Sequence, residues 1–329
     1  MTLEGMRILV TGATGFLGGR AAQHLSKLGA SVTATGRNEA RLGDLSLQTC
    51  KTLAADLSSP DALASISGEY DAIVHCAALS APWGRPEDFH SANVVATQTV
   101  LCIAARNPEC RMIHISSSAV YFQPKDQSHI AESDPLPDRL INHYARSKLM
   151  SETLVRGCGQ SSIILRPRGI YGPGDTALVP RLIAAAEARP LPLLRGGQAK
   201  TDLTHVDDVV SAIVASLRVR RPHSGKIYNI SGGEALSIKG IIETVCFHAG
   251  IDLRWRVLPT SLAMLGAHGS EIASALGGWK SEPLVTRYSL GLLAWSQTLD
   301  ISKAQHELNW TPKITFEEGL KETLGSLFP

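Results

Sequence analysis

The chain has 329 residues, 44% hydrophobic and 19% charged, with 32 basic residues against 30 acidic ones and a formal charge of +2. This balance excludes a disordered chain, gives no basic footprint for nucleic acid or an anionic membrane, and leaves no apolar run long enough for a bilayer-spanning helix. The six cysteines (Cys50, Cys76, Cys102, Cys110, Cys158, Cys246) form no Cys-x-x-Cys pair, and the N-terminus enters an apolar strand without a signal-peptide pattern. The expectation is a soluble, cytoplasmic protein with reduced thiols, a small-molecule partner, no disulfide framework and no metal site.

In chain order, short apolar runs occur at Arg7 to Thr11, Ser31 to Thr35, Lys51 to Ala55, Ala72 to Cys76, Met112 to Ser116 and Ile163 to Arg166. Each is bounded by Gly, Asp, Ser or Pro and separated from the next by enough chain for a crossover helix. They predict βαβ units, hence a doubly wound α/β Rossmann fold whose parallel sheet is covered on both faces. Apolar spacing predicts helices over Phe16 to Leu28, Glu87 to Arg106 and Asn142 to Arg156, the last two being candidates for pairing in a homodimer. After Pro173 the texture changes, with Pro180, Pro190, Pro192 and the turn Gly196-Gly197. We therefore expect a dinucleotide-binding domain over 1–172 and a smaller, discontinuous substrate lobe over 173–329. Residues 206–218 read as a helix and Lys226 to Ile230 as a strand, so about 202–232 should return to the main sheet. Leu265 to Gly278, rich in Gly, Ala and Ser, reads as a mobile flap.

Directly after the first strand stands TGATGFLG, with Gly12, Gly15 and Gly18 spaced by three and Thr14, Phe16 and Leu17 between them. Gly12 permits the tight strand-to-helix turn, Gly15 lets the backbone approach a pyrophosphate, and Gly18 allows close helix packing. The helix N-terminus then offers unpaired N–H groups and a favourable dipole to the phosphates. The second strand ends at Gly36-Arg37, where an NAD-binding chain usually carries an acidic residue for the ribose hydroxyls. An arginine there suits a 2′-phosphate and favours NADP(H) over NAD(H), unless Arg37 is an ordinary solvated loop residue. Asp56, with Leu57 beside it, stands just past the third strand and is either an acceptor for the adenine amino group or a turn cap.

Tyr144-Ala145-Arg146-Ser147-Lys148 sets a phenol and an ammonium four residues apart, on one helix face and within reach of a shared ligand. Phenols exchange protons poorly at neutral pH, and a nearby cation stabilises the phenolate. Upstream, the strand Met112 to Ser116 runs into Ser116-Ser117-Ser118-Ala119-Val120-Tyr121, at the end of a parallel strand where α/β sheets present ligand-binding groups. A hydroxyl there can hold a reacting oxygen. The histidines His75, His114 and His205 fit core or turn roles.

From TGATGFLG through SSSAVY and YARSK to RPRGIYGPGD and THVDDV, the chain resembles the extended short-chain dehydrogenase/reductase family over nearly its whole length. The resemblance implies that Ser117 is the catalytic serine, Tyr144 the acid/base and Lys148 the holder of the nicotinamide ribose. It further implies that Asn93 is the family's buried asparagine and that Ala77, Ala78 and Pro167 line the cofactor. The Trp83-Gly84 insertion and the tail PLVTRYSLGLLAW are similar to the 3β-hydroxysteroid dehydrogenase branch, with its 2-alkyl-3-oxoalkanoate reductases, which act on apolar ketones or secondary alcohols. Arg168-Gly169 and Thr201 depart from the nucleotide-sugar epimerase/dehydratase branch, which stays as the alternative; a non-catalytic NADP-binding regulator is the second. Trp83, Ser118, Tyr121, Tyr171 and Trp295 are candidate substrate contacts, the aromatics otherwise being core. Arg168 is either an anchor for a substrate anion or a structural ion pair.

Overall fold

The structure is a computed structural model and describes residues 2–46, 50–219, 224–279 and 281–328. Seven parallel strands form the main sheet in the order Lys226–Ile230, Ser162–Pro167, Arg111–Ile115, Ala72–His75, Arg7–Thr11, Ser31–Gly36, Lys51–Ala54. The chain starts in Arg7–Thr11, winds outward to Lys51–Ala54, then crosses to Ala72–His75 and winds the other way. This reversal opens a crevice at the carboxyl ends of Arg7–Thr11 and Ala72–His75, where doubly wound folds bind ligands. The central strands are buried along their length, as expected of a sheet with helices on both faces. Lys226–Ile230 pairs in parallel with Ser162–Pro167; residues 220–223 of the segment expected to return to the sheet lie outside the described residues.

The helix read over Glu87 to Arg106 is present as one continuous run over 86–104, made of an α-turn Pro86–Phe89, a π-helical turn His90–Val95 and an α-helix Ala96–Ala104. The wide turn carries Asn93, whose carbonyl accepts a hydrogen bond from the Thr97 hydroxyl at 2.6 Å while its amide reaches out to the loop at Leu79. Such insertions are common where a side chain has to be aimed at a functional site. The supposed flap Leu265 to Gly278 lies mostly in the 17-residue helix Thr260–Leu276. The helix is fastened to Arg287–Ala294 by the buried Glu271, which takes the Arg287 backbone N–H at 2.7 Å and its guanidinium at 2.6 Å.

Candidate active site

The phosphate loop is built as tightly as its glycines suggest. Gly12 has φ +67°, and a Cβ there would lie 2.6 Å from the Ala77 nitrogen; a Cβ on Gly18 would lie 2.3 Å from the Gly12 carbonyl. The following helix Phe16–Lys27 has no side-chain cap and no acidic residue in its first turn, so its leading N–H groups are left for an anion. Behind the loop, Thr11 is hydrogen-bonded to His75 Nδ1 at 2.7 Å, and His75 Nε2 pairs with Thr97 at 3.0 Å. Burial holds His75 down at about 3, so this ring is a neutral core brace.

A crevice of about 230 Å³ is lined by Gly12, Thr14, Gly15, Arg37, Asp56, Leu57, Ala77 and Ala78, together with Gly36, Ser58, Cys76 and Leu79. Leu17, Gly18 and Pro167 are buried and Phe16 half-buried, and all four stand outside its lining. These residues fit a dinucleotide: a Cβ-free loop, open helix N–H groups and a narrow trough between two strand ends. Asp56 Oδ1 takes the Ser58 N–H at 3.0 Å and its hydroxyl at 2.6 Å, so the turn-cap role is present; Oδ2 takes no bond from the described residues. Arg37 is exposed at the far rim, close enough for its charge to help hold the Asp56 carboxyl down, after the Ser58 hydrogen bonds. Arg41 joins this rim without having been expected there, its Nη1 donating to the Thr14 carbonyl at 3.0 Å. Its signal was a second arginine four residues after Arg37.

Ser117 begins a 3₁₀ turn, Ser118–Tyr121, at the carboxyl end of Arg111–Ile115, and its Oγ accepts the Ala119 N–H at 3.1 Å. Tyr144 and Lys148 stand on the helix His143–Gly157, which Asn142 caps by accepting the Ala145 N–H at 2.8 Å. Lys148 is buried and its Nζ donates to the Ile115 carbonyl at 2.6 Å, which ties the helix to the strand end two residues before Ser117. Desolvation lowers the ammonium to about 8, against the opposing pull of Glu152. Glu152, one turn further on, is clasped by Arg166 at 2.8 and 2.5 Å and also takes the Ser116 hydroxyl. Ser116 is thereby committed to the core.

Asn93 contacts three things at once. Its Oδ1 accepts the Leu79 N–H at 2.7 Å, and its Nδ2 donates to the Leu79 carbonyl at 3.2 Å and to Ser147 Oγ at 2.7 Å. Ser147 in turn donates to the Tyr144 carbonyl at 2.8 Å. The asparagine thus joins the cofactor-lining loop to the turn of helix that carries Tyr144 and Lys148, and its geometry is that of a positioning residue.

Beside this helix lies a second cavity of about 320 Å³, walled by Trp83, Phe89, Ile141, His143, Arg146, Ile272, Trp279 and Tyr288 among others. Trp83 is where a substrate wall was expected; it stacks on Trp279 at 4.6 Å between ring centroids and donates its indole N–H to Ser274 at 3.0 Å. The other expected contacts are elsewhere. Tyr121 is buried, donating to Asn229 at 2.9 Å under the Arg166 guanidinium, and Tyr171 is buried against His205 and Phe316. Trp295 packs on the cluster around Leu290 and Ala294, and Ser118 is buried in its turn. Arg168 is no surface anchor: it is buried, bonded to Thr201 at 2.9 Å and to Gln297, with Asp202 at 3.5 Å. Core aromatics and pocket aromatics look alike in sequence, so the substitutes Phe89, Trp279 and Tyr288 needed the fold to be found. The one group among the described residues with metal-like spacing is His205, Asp207 and Glu322, in which Arg20 already holds both Asp207 oxygens at 2.6 and 2.7 Å.

Residues 8–231 match the model of the NAD dependent epimerase/dehydratase family. The chain is 35% identical to the uncharacterized protein YbjS of Escherichia coli (strain K12), over 97% of this chain and 96% of that one. It is 30% identical to the 4-hydroxy-2-methyl-3-oxo-4-farnesyl-3,4-dihydroquinoline-1-oxide ketoreductase of Stigmatella aurantiaca, over 96% and 95%. It is 28% identical to the 2-alkyl-3-oxoalkanoate reductase of Shewanella oneidensis, over 97% and 85%. The fold matches that of a UDP-glucuronic acid 4-epimerase from Bacillus cereus, solved with UDP-glucuronic acid and NAD, with a TM-score of 0.76 at 24% identity over 98% and 99% of the two chains. The chain therefore belongs to the NAD dependent epimerase/dehydratase family and is an NAD(P)-dependent enzyme of the extended short-chain dehydrogenase/reductase type.

Proposed function

We propose that this family member is an NADP(H)-dependent oxidoreductase interconverting an apolar ketone and its secondary alcohol, with a branched 3-oxo acid as the leading substrate class. The observation that carries it is the Lys148–Ile115 bond, which ties the helix bearing Tyr144 and Lys148 to the strand end before Ser117, while the first residues of that helix line a cavity that holds two stacked indoles. Two relatives named as reductases of 3-oxo compounds support the substrate class.

When bound, the nicotinamide supplies the hydride that reaches the ketone carbon. Ser117 donates its hydroxyl hydrogen to the ketone oxygen and fixes it, since its Oγ already accepts from Ala119 and its own hydrogen is free to point outward. Tyr144 delivers its proton to the same oxygen as the alcohol forms, and takes it back in the reverse direction. Lys148, held by the Ile115 carbonyl, would hold the nicotinamide ribose with its remaining hydrogens and would lend positive charge to the phenolate form of Tyr144. Asn93 holds the Ala77–Leu79 loop and the catalytic helix in register.

Preference for NADP(H) is supported by Gly36, which presents no carboxylate to a 2′-phosphate, and by Arg37 and Arg41 at the same rim. The neighbouring sugar-nucleotide epimerase structure keeps that chemistry as the alternative reading, against which the apolar wall of the cavity counts. The test is NADPH and NADH consumption across 2-alkyl-3-oxo acids and 3-ketosteroids. Turnover of one of them supports the reading; no ketone reduced, with thermal stabilisation by a UDP-sugar, transfers it to the epimerase class.

A further inference from the structure

We infer that Tyr288 is a specificity-determining residue of this site, its hydroxyl donating to a second oxygen on the substrate, the carboxylate that lies two carbons from the ketone held by Ser117 and Tyr144. The inference rests on the ketone-reductase reading above and deepens it.

On the cavity wall Trp83 gives its N–H to Ser274, Arg287 is paired with Glu271, and Asn142 caps the catalytic helix through Oδ1 while its buried Nδ2 has no partner among the described residues. The Tyr288 hydroxyl takes no hydrogen bond from the described residues, and it lines the cavity. A phenol donor without a protein partner on the wall of a cavity is available to an acceptor on a ligand.

Its placement is fixed by the catalytic turn itself. Tyr288 meets Phe122 edge-on at 5.3 Å, and Phe122 directly follows the Ser118–Tyr121 turn that Ser117 begins. One helical turn along, a Cβ on Gly291 would lie 2.3 Å from Phe122 Cζ, so only glycine lets the helix Arg287–Ala294 lie this close. The substrate lobe thus carries a phenol registered to the serine that binds the ketone. Tyr144 and the buried Arg168 guanidinium are both near enough for their charges to bear on Tyr288. Burial pushes the Tyr288 phenol up to about 12, so it stays a neutral donor throughout the working range of pH. An anion is the acceptor that fits. Arg146, exposed and without a salt-bridge partner among the described residues, lines the same cavity, and a phenol-to-carboxylate bond is stronger than one to a neutral oxygen.

The experiment compares kcat/KM for a 2-alkyl-3-oxo acid with that for a ketone of equal length lacking the carboxylate, in wild type and Tyr288→Phe. Thermal midpoints and NADPH binding are measured on both proteins. The expected result is a wild-type preference for the acid that collapses by about 10- to 100-fold in the variant, chiefly through KM, with the thermal midpoint held. A preference that survives in Tyr288→Phe overturns the inference, as does equal use of the two ketones by wild type; in both cases the ketone-reductase reading stands. Reduction of neither ketone overturns that reading and this inference with it.

Discussion

Lys148 is the residue whose chemistry sets activity against stability. Burial brings its ammonium from an ordinary 10.5 to about 8. Between those two values the unfolded chain binds more protons than the folded one, so the folded state gains stability as pH rises through this window. Below it the full desolvation cost is present, roughly 3 kcal/mol at pH 7, fading to about 1.4 kcal/mol at pH 9.5. Lys148→Met removes that cost but gives up the bond from Nζ to the Ile115 carbonyl, a loss of about 1–2 kcal/mol. The cofactor-free variant should therefore be more stable than wild type at pH 7 by about 1–2 kcal/mol, and its advantage should shrink by about 2 kcal/mol by pH 9.5. Urea unfolding of both proteins at the two pH values measures this, and turnover in the variant should be lost at both. Stability curves that run parallel with pH would refute the reasoning, because they would mean that the buried ammonium titrates as it does in the unfolded chain.

Three further outcomes follow from the geometry. Tyr144→Phe should lower turnover by about 10²- to 10⁴-fold while NADPH still raises the melting temperature, since the crevice lining does not include the phenol. Arg37→Ala and Arg41→Ala should each weaken NADPH binding about tenfold or more and change NADH binding little, as read by fluorescence titration. Glu152→Leu should destabilise the fold by about 3–5 kcal/mol in urea titrations, because it strands the buried Arg166 guanidinium without its partner.

What could be read from the sequence was what is local in the chain. Gly12, Gly15 and Gly18 follow a strand and open a helix, and Tyr144 and Lys148 sit four apart, so their spacing alone carries the geometry. The alternation of apolar runs with helices likewise yields the parallel sheet covered on both faces, while its strand order is seen only in the fold. What could not be read depended on neighbours distant in sequence. Tyr121 and Tyr171 look like pocket aromatics until Arg166, Asn229 and Phe316 are seen to enclose them. For Arg168 the sequence leaves an anion anchor and a structural ion pair open, and the partners that favour the second, Thr201, Gln297 and Asp202, come from far along the chain. The flap read over Leu265 to Gly278 failed for a different reason: small residues weaken the apolar periodicity that marks a helix, while still allowing one that is held by tertiary contacts such as Glu271 with Arg287. The π-turn at Asn93 has no signature in spacing at all, because it exists to meet Leu79 and Ser147.

The most direct test of the central claim follows the hydride. Enzyme incubated with a 2-alkyl-3-oxo acid and NADPH deuterated at the transferable position of C4 should yield a 3-hydroxy acid one mass unit heavier, labelled at the carbinol carbon, and Tyr144→Phe should form it at least about 100-fold more slowly. An unlabelled alcohol, or label passed to product equally well by Tyr144→Phe, would contradict the mechanism.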